Sequence, residues 1–180
     1  MVNGMTLMDL EQIKNIPQED LPLAVLSADA SKFFASGIRL FKKCYYNHFM
    51  WMHRTGYFAS QGFTYAEKSV EEYTTKTTRY KFWYNPQWTT VEKSTMISEI
   101  YYWLNKPAFT TRYDWIAIIG QALNIAWIQN PFTRICSDYG SLLKKVDPRY
   151  NLKNPSPDQV NEWLKKWAKT YSVYGRYAPD

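Results

Sequence analysis

The sequence has few of the residues that build disulfide or metal scaffolds. It contains two cysteines and two histidines in 180 residues, which excludes a disulfide framework. Cys44, His48 and His53 lie close together in sequence, but on a strand His53 would point to the opposite face from the other two. Because no fourth ligand lies nearby in sequence, we expect no metal site in this stretch.

Glycine and long apolar runs are also scarce. The seven glycines are scattered singly, so a loop that could cradle a phosphate is missing, and we expect no cofactor. The most apolar stretch, residues 115–128, is interrupted by Gln121 and Asn124 and is too short to cross a bilayer. Residues 1–5 lack the basic region and apolar block of a signal peptide. We therefore expect no transmembrane segment and, by default, a cytoplasmic location, with delivery by another route left open.

Aromatic and basic residues, by contrast, are plentiful. Aromatic residues make up 18% of the chain and apolar residues as a whole 46%, which is typical of a folded globular protein with an aromatic groove or interaction face. The formal net charge of +6 favours acidic partners. The basic residues are dispersed, so we expect no specific nucleic-acid partner; the lysine pairs are Lys42-Lys43, Lys144-Lys145 and Lys165-Lys166.

The apolar periodicity predicts a single α+β domain over residues 1–180. Alternating patterns predict strands mainly in the first half of the chain, and helical spacing predicts helices mainly in the second half. No internal repeat or long linker divides the chain. The predicted strands cover residues 21–26, 46–52, 57–61, 63–67 and 78–84, and the predicted helices cover residues 5–16, 30–43, 90–105, 113–123, 136–146 and 157–171.

Cys136 is a candidate for a reactive side chain. It follows the loop signal of residues 129–131 and precedes apolar residues at helical spacing over residues 139–146. A helix that begins here would place the thiol against unpaired N–H groups and a partial positive charge, which favour the nucleophilic thiolate. Most free cysteines are instead small buried apolar residues, so Cys136 needs a partner base before it indicates an active site.

His48 is the candidate for that base. It lies in an aromatic, strand-like run that follows the basic residues Lys42-Lys43. A cysteine thiol needs a base within hydrogen-bond reach, and the two residues can be far apart in sequence. In the usual papain-type order the cysteine precedes the histidine, whereas in this chain the histidine comes first.

Four features follow one another in an order that matches a known family. Individually they are short and degenerate, and the match depends on their order and spacing. They are a strand and the helix residues 38–42 leading to Tyr46-Asn47-His48, the hairpin residues Ala59-Ser60-Gln61, Tyr113-Asp114 at the start of an apolar helix, and Arg134-Ile135-Cys136-Ser137 at the start of another. In these features the chain resembles the circularly permuted, NlpC-like papain-fold proteins of the YiiX/YaeF type, which are related to lecithin:retinol acyltransferase.

This resemblance implies a permuted papain-like fold, with its core over residues 21–146, and a thiol hydrolase or acyltransferase. Cys136 would attack an amide or ester carbonyl, and its backbone N–H would contribute to the oxyanion site. His48 would take the thiol proton and return it to the leaving group. Substrates in this superfamily include cell-wall peptides and lipid esters or amides, and the sequence does not decide between them.

The third residue, which orients the imidazole, departs from the family pattern. Many members have a glutamate, whereas the matching positions in this chain are Ser60 and Gln61, and Glu67 lies further along. A tight hairpin over residues 54–56 would bring Ser60 and Gln61 back alongside Phe49 and His48, and only one of the two could face the ring. We favour Gln61 for its longer reach and its acceptor oxygen, with Ser60 or Glu67 as alternatives.

A second class of function is compatible with the same residues. The chain could be a catalytically inactive papain-fold protein whose basic, aromatic surface contacts acidic polymers. That alternative predicts that Cys136 is buried with no histidine near it. An activated thiol, in contrast, reacts with alkylating reagents quickly near neutral pH.

Overall fold

A computed structural model describes residues 6–29, 45–112, 136–153 and 155–175. The predicted helices over residues 30–43 and 113–123 lie outside these ranges, as does Cys44. The described strands are β1 (Leu23–Ala28), β2 (His48–Arg54), β3 (Tyr57–Gln61), β4 (Tyr65–Ser69), β5 (Arg79–Tyr84) and β6 (Lys169–Tyr174). The described α-helices are α1 (Leu10–Lys14), α2 (Val70–Tyr73), α3 (Thr90–Leu104) and α4 (Pro157–Trp167), and 3₁₀ helices cover Gln18–Asp20, Ala108–Thr110 and Cys136–Lys145.

The six described strands form one sheet in the order β4-β3-β2-β1-β5-β6. Every neighbouring pair is antiparallel, so the α+β class predicted from the sequence is confirmed. Strand β1, whose six residues are all buried, lies between β2 and β5. A near-continuous apolar strand suits this central position, because both of its faces are covered.

The four described α-helices begin with the same local signal. In each, an N-cap side chain accepts a hydrogen bond from the N3 backbone, and the N3 side chain bonds back to the N-cap backbone. Such a capping box satisfies backbone N–H groups that a helix start leaves unpaired. The four boxes are Asp9 with Gln12, Ser69 with Glu72, Thr89 with Glu92, and Ser156 with Gln159.

The sheet buries an apolar cluster on each face. Phe49 and Trp51 of β2 belong to the cluster covered by α3, α4 and the 3₁₀ helix Cys136–Lys145. Met50 and Met52, which alternate with them, belong to the cluster covered by α1 and α2. Because side chains on a strand alternate between faces, His48 shares the α2 face with Met50 and Met52.

Several stretches differ from the prediction at their boundaries, and strands β1 and β2 each begin and end two residues later than predicted. The C-terminal helix, predicted over residues 157–171, ends at Trp167, and the chain continues as β6 on the edge of the sheet. Residues 169–174 pair antiparallel with β5, so strand pairing takes precedence over the helical pattern there. Strand β4 begins at Tyr65 rather than at Phe63, since residues 62–64 form the turn that precedes it.

The predicted helix over residues 136–146 is present, but it is a 3₁₀ helix over Cys136–Lys145. A 3₁₀ helix has three residues per turn and rises about 2 Å per residue, so its side chains at i and i+3 lie nearly in line. Tyr139 and Leu142 lie on that row and are both buried in the cluster beneath the helix. Cys136 is the first residue of that row, so it lies on the side of the helix that faces the sheet.

Candidate active site

His48 opens β2 at one end of the sheet and is held there by Ser60. The ring nitrogen Nε2 of His48 lies 2.9 Å from Oγ of Ser60 on β3. Ser60 pairs with Met50, and Met50 and His48 share a face of the sheet because they are two residues apart. A buried hydroxyl, 3% exposed as a residue, thus fixes one nitrogen of the imidazole.

Gln61, the residue favoured for orienting the imidazole, faces away from His48. Its side-chain nitrogen donates to the backbone oxygen of Thr111 at 2.7 Å. The hairpin contains a β-bulge, in which His53 is an extra residue on β2. A shift of one residue moves every later side chain to the other face. The prediction that Gln61 faces the ring is therefore wrong, and Ser60, one of the alternatives, contacts it.

Tyr73 covers one side of the imidazole. Its ring is stacked on that of His48, with the ring centroids 5.8 Å apart and the planes inclined by 22°. Tyr73 ends the short helix α2 and is 8% exposed. No local sequence signal points to Tyr73, because it approaches His48 only when α2 folds over the sheet.

The 3₁₀ helix that begins at Cys136 reaches the same end of the sheet. One turn after Cys136, Tyr139 stacks on Tyr65 with ring centroids 3.7 Å apart and planes inclined by 8°. Tyr65 pairs with Gln61, the last residue of β3, and this end of β3 lies toward His48 because β2 and β3 are antiparallel. The first turn of the helix therefore lies beside the end of the sheet that carries His48.

Tyr73 also connects His48 with Cys136 electrostatically. Burial raises the pKa of the Tyr73 phenol above its ordinary value, the hydroxyls of Ser27 and Ser60 lower it, and negative charge on Cys136 raises it further. Negative charge on Cys136 would therefore disfavour ionisation of the phenol whose ring is stacked on His48, although the helix and the imidazole belong to opposite faces of the sheet.

The thiol of Cys136 is buried and is not part of a disulfide bond. The residue is 3% exposed. Reactive cysteines usually lie in electropositive and partly exposed surroundings, whereas buried ones are commonly inert. The burial of Cys136 therefore argues against a catalytic role more strongly than any other feature of this site.

The buried carboxylate of Asp29 lies at the same end of the sheet. Asp29 follows β1, is 1% exposed, and accepts hydrogen bonds from the hydroxyls of Thr75, Thr77 and Thr78 at 3.0, 2.8 and 2.7 Å. A buried carboxylate must be hydrogen-bonded, since it has lost its hydration. These bonds attach the loop between α2 and β5 to the end of β1.

Glu67, the remaining alternative for the third role, belongs to a different histidine. Its carboxylate lies 2.9 Å from Nε2 of His53 and accepts a hydrogen bond of 2.7 Å from Nε of Arg54. His53 is fully buried and packs edge-on against the ring of Tyr101. The two histidines thus have separate partners, a hydroxyl for His48 and a carboxylate for His53.

We expect the His53 site to make the free energy of unfolding depend on pH. Burial lowers the pKa of His53 below its ordinary value of 6.5, although Glu67 opposes this effect. Above that value the ring is neutral in both the folded and unfolded chains. As the pH falls below about 6.5, the unfolded chain binds a proton first, so stability decreases. Urea unfolding at about pH 7.5 and about pH 5.5 should show a smaller loss in His53→Gln than in the wild type. An identical loss in both proteins would contradict the assignment.

The interpretation of the candidate site depends on the contacts described above. Among the residues described, no group of three or more histidine, cysteine, aspartate or glutamate side chains could hold a metal ion. None of the described helices combines the length and apolar character needed to cross a membrane. No protein-family model, curated protein or solved structure matches this chain significantly.

Proposed function

We propose that this protein is a cysteine-dependent hydrolase or acyltransferase with a permuted papain-like fold. The thiolate of Cys136 attacks the carbonyl carbon of an amide or ester, and His48 takes the thiol proton. The imidazolium then protonates the leaving amine or alcohol, which leaves a thioester on Cys136. Water, or a second acyl acceptor, attacks this thioester and restores the thiol. The substrate is a cell-wall peptide or a lipid amide or ester.

The main support is the imidazole of His48, which is fixed from two sides at the end of the sheet where the cysteine-bearing helix begins. Ser60 holds its Nε2 at 2.9 Å and the Tyr73 ring covers one of its faces. A base that is already oriented needs little reorganisation when it accepts a proton.

The contact with Ser60 also supports one position for the ring proton of His48, on Nε2. When Nε2–H donates to Ser60, the basic lone pair of the neutral ring lies on Nδ1. That nitrogen then accepts the thiol proton, and the imidazolium keeps its bond to Ser60. A neutral hydroxyl stabilises the imidazolium less than a carboxylate does, so His48 should act as a weaker base here than beside an aspartate.

A catalytically inactive binding protein is the second candidate, and the burial of Cys136 favours it. A thiol that is 3% exposed must be uncovered before it can reach a substrate. In that case the aromatic and basic surface, with a net charge of +6, would contact acidic polymers without chemistry.

Thiol alkylation distinguishes the two candidates without knowledge of the substrate. In a Cys44→Ser background, iodoacetamide modifies Cys136 alone, and mass spectrometry at neutral pH gives the rate. We expect modification at least about tenfold faster than in Cys44→Ser/His48→Gln, because the imidazole raises the thiolate fraction. Equal and slow rates in both proteins would favour the inactive binding protein.

The Ser60–His48 contact requires one further control. A hydroxyl 2.9 Å from an imidazole nitrogen is also the geometry of a serine nucleophile and its base. A fluorophosphonate reagent labels such a serine, and the label would be lost in Ser60→Ala. We expect no label on Ser60, since it is nearly fully buried on a strand; stoichiometric labelling would assign the nucleophile to Ser60 instead of Cys136.

A further inference from the structure

Tyr73 contacts His48 in a way that the proposed reaction does not use. The tyrosine ring lies nearly parallel to the imidazole, with the planes inclined by 22°. Such an offset arrangement of rings is a favourable packing geometry. It also restricts rotation of the imidazole about its side-chain bonds, because the neighbouring ring occupies the space into which the imidazole would turn.

Tyr73 is itself firmly placed. Helix α2 begins with the capping box of Ser69 and Glu72, and the backbone N–H of Val70 bonds to the backbone oxygen of Gly56 at 2.9 Å. The ring of Tyr73 packs against Phe58 at 5.9 Å between centroids. A side chain held by its own helix and by the sheet can position a second side chain, because its own conformation is fixed.

The phenol oxygen lies in the same small polar region as the hydroxyl that holds His48. Ser27 is paired with His48 across β1 and β2, and Ser60 holds the imidazole Nε2. Burial raises the pKa of the Tyr73 phenol, and the hydroxyl of Ser60 acts on the same phenol and lowers it by less. Because burial dominates, the phenol stays protonated at neutral pH.

We propose that Tyr73 is a positioning residue for His48, which fixes the plane of the imidazole with its ring and the direction of the Ser60 hydroxyl with its phenol oxygen. This inference rests on the proposed function of His48 as a base. Tyr73 touches neither substrate nor reacting atoms in the proposal, and it acts only through His48 and Ser60.

The direction of the Ser60 hydroxyl matters because it selects the tautomer of the imidazole. A serine hydroxyl has one proton, and it can donate either to Nε2 of His48 or to another acceptor. If it donates to Nε2, the ring proton moves to Nδ1, and the ring loses the lone pair that would accept the thiol proton. When the Ser60 hydroxyl donates to the phenol oxygen of Tyr73, its proton points away from Nε2, so Nε2–H donates to Ser60 and Nδ1 stays basic.

Nitrogen-15 NMR of the histidine side chains tests this inference directly. The chain contains two histidines, so two pairs of ring-nitrogen signals are expected, and His48→Gln assigns them. We expect His48 in the wild type to carry its proton on Nε2. In Tyr73→Phe, which keeps the ring and removes the oxygen, the Nδ1–H tautomer should become detectable, and kcat should fall about tenfold with KM little changed, as for the loss of one hydrogen bond.

Matched variants separate positioning from folding. Tyr80→Phe removes the hydroxyl of a buried tyrosine on the same face, one that bonds to Thr74 at 2.8 Å, and it should leave the His48 tautomer unchanged. The His53 signals report folding, because His53 is held by Glu67 away from Tyr73. Unchanged His48 nitrogen shifts in both Tyr73→Phe and Tyr73→Leu, with unchanged His53 signals, would overturn the inference.

The two proposals fail in distinguishable ways. If the wild-type protein has no hydrolytic or acyl-transfer activity, the proposed function fails, and the His48 nitrogen shifts alone decide whether Tyr73 positions the ring. If Cys136→Ala abolishes activity but Tyr73→Phe leaves both kcat and the His48 tautomer unchanged, the proposed function stands and the role of Tyr73 is refuted.

Discussion

Cys136→Ala and His48→Ala should each lower turnover of an amide or ester substrate by a factor of about a hundred to ten thousand, the range expected when a nucleophile or its base is removed. The two losses should not add in the double variant, because the thiol and the imidazole act as one unit. Steady-state kinetics with an activated acyl ester gives kcat and KM for each protein. Activity that survives Cys136→Ala unchanged would refute the thiol mechanism.

Ser60→Ala and Gln61→Ala form a matched pair of controls on the same strand. Ser60 contacts the imidazole of His48, whereas the side chain of Gln61 bonds to the backbone of Thr111 on the other face. We expect Ser60→Ala to lower kcat about tenfold, as for the loss of one hydrogen bond, and Gln61→Ala to change kcat by less. A larger loss in Gln61→Ala, in a protein that remains folded, would contradict the register of this hairpin.

Trp51→Ala should lower the free energy of unfolding by about 3–5 kcal/mol, a large loss for a single substitution. Trp51 is fully buried in the centre of β2 and packs edge-on against Phe49 at 5.4 Å between centroids. Its indole N–H donates to the backbone oxygen of Tyr139 at 2.9 Å. The substitution would leave a cavity and also remove a hydrogen bond to the helix that carries Cys136. Urea unfolding monitored by circular dichroism gives the measurement.

Trp51→Phe separates the hydrogen bond from the packing. It keeps an aromatic ring in the core but removes the indole donor, so the Tyr139 backbone oxygen loses its hydrogen bond to the sheet. We expect a smaller loss of stability than in Trp51→Ala, with about 1 kcal/mol arising from the lost hydrogen bond. If the two variants were equally stable, packing of Trp51 would contribute little, which is incompatible with its complete burial.

Local sequence signals determined most of the element types and several of their boundaries. The turn at Thr55-Gly56 and strand β3 over Tyr57–Gln61 occur as predicted, because Gly56 supplies the positive φ of 77° that a tight hairpin requires. Helix α3 over Thr90–Leu104 also agrees closely with its prediction, since its N-terminal capping box is a local pattern. Strand β6 was missed, because the apolar spacing of the preceding helix continues to residue 171. The pattern therefore predicts helix where the strand begins.

Only the tertiary structure decided which residues surround His48. The register of β2 and β3 depends on the bulge at His53, and a one-residue shift exchanges the faces on which Ser60 and Gln61 lie. A bulge is stabilised by contacts on both sides of the sheet, so no short window of sequence specifies it. The approach of Tyr73 has the same origin, because α2 must first pack on the sheet. The sequence by itself thus determined the residue types available for chemistry, and long-range packing determined which of them meet.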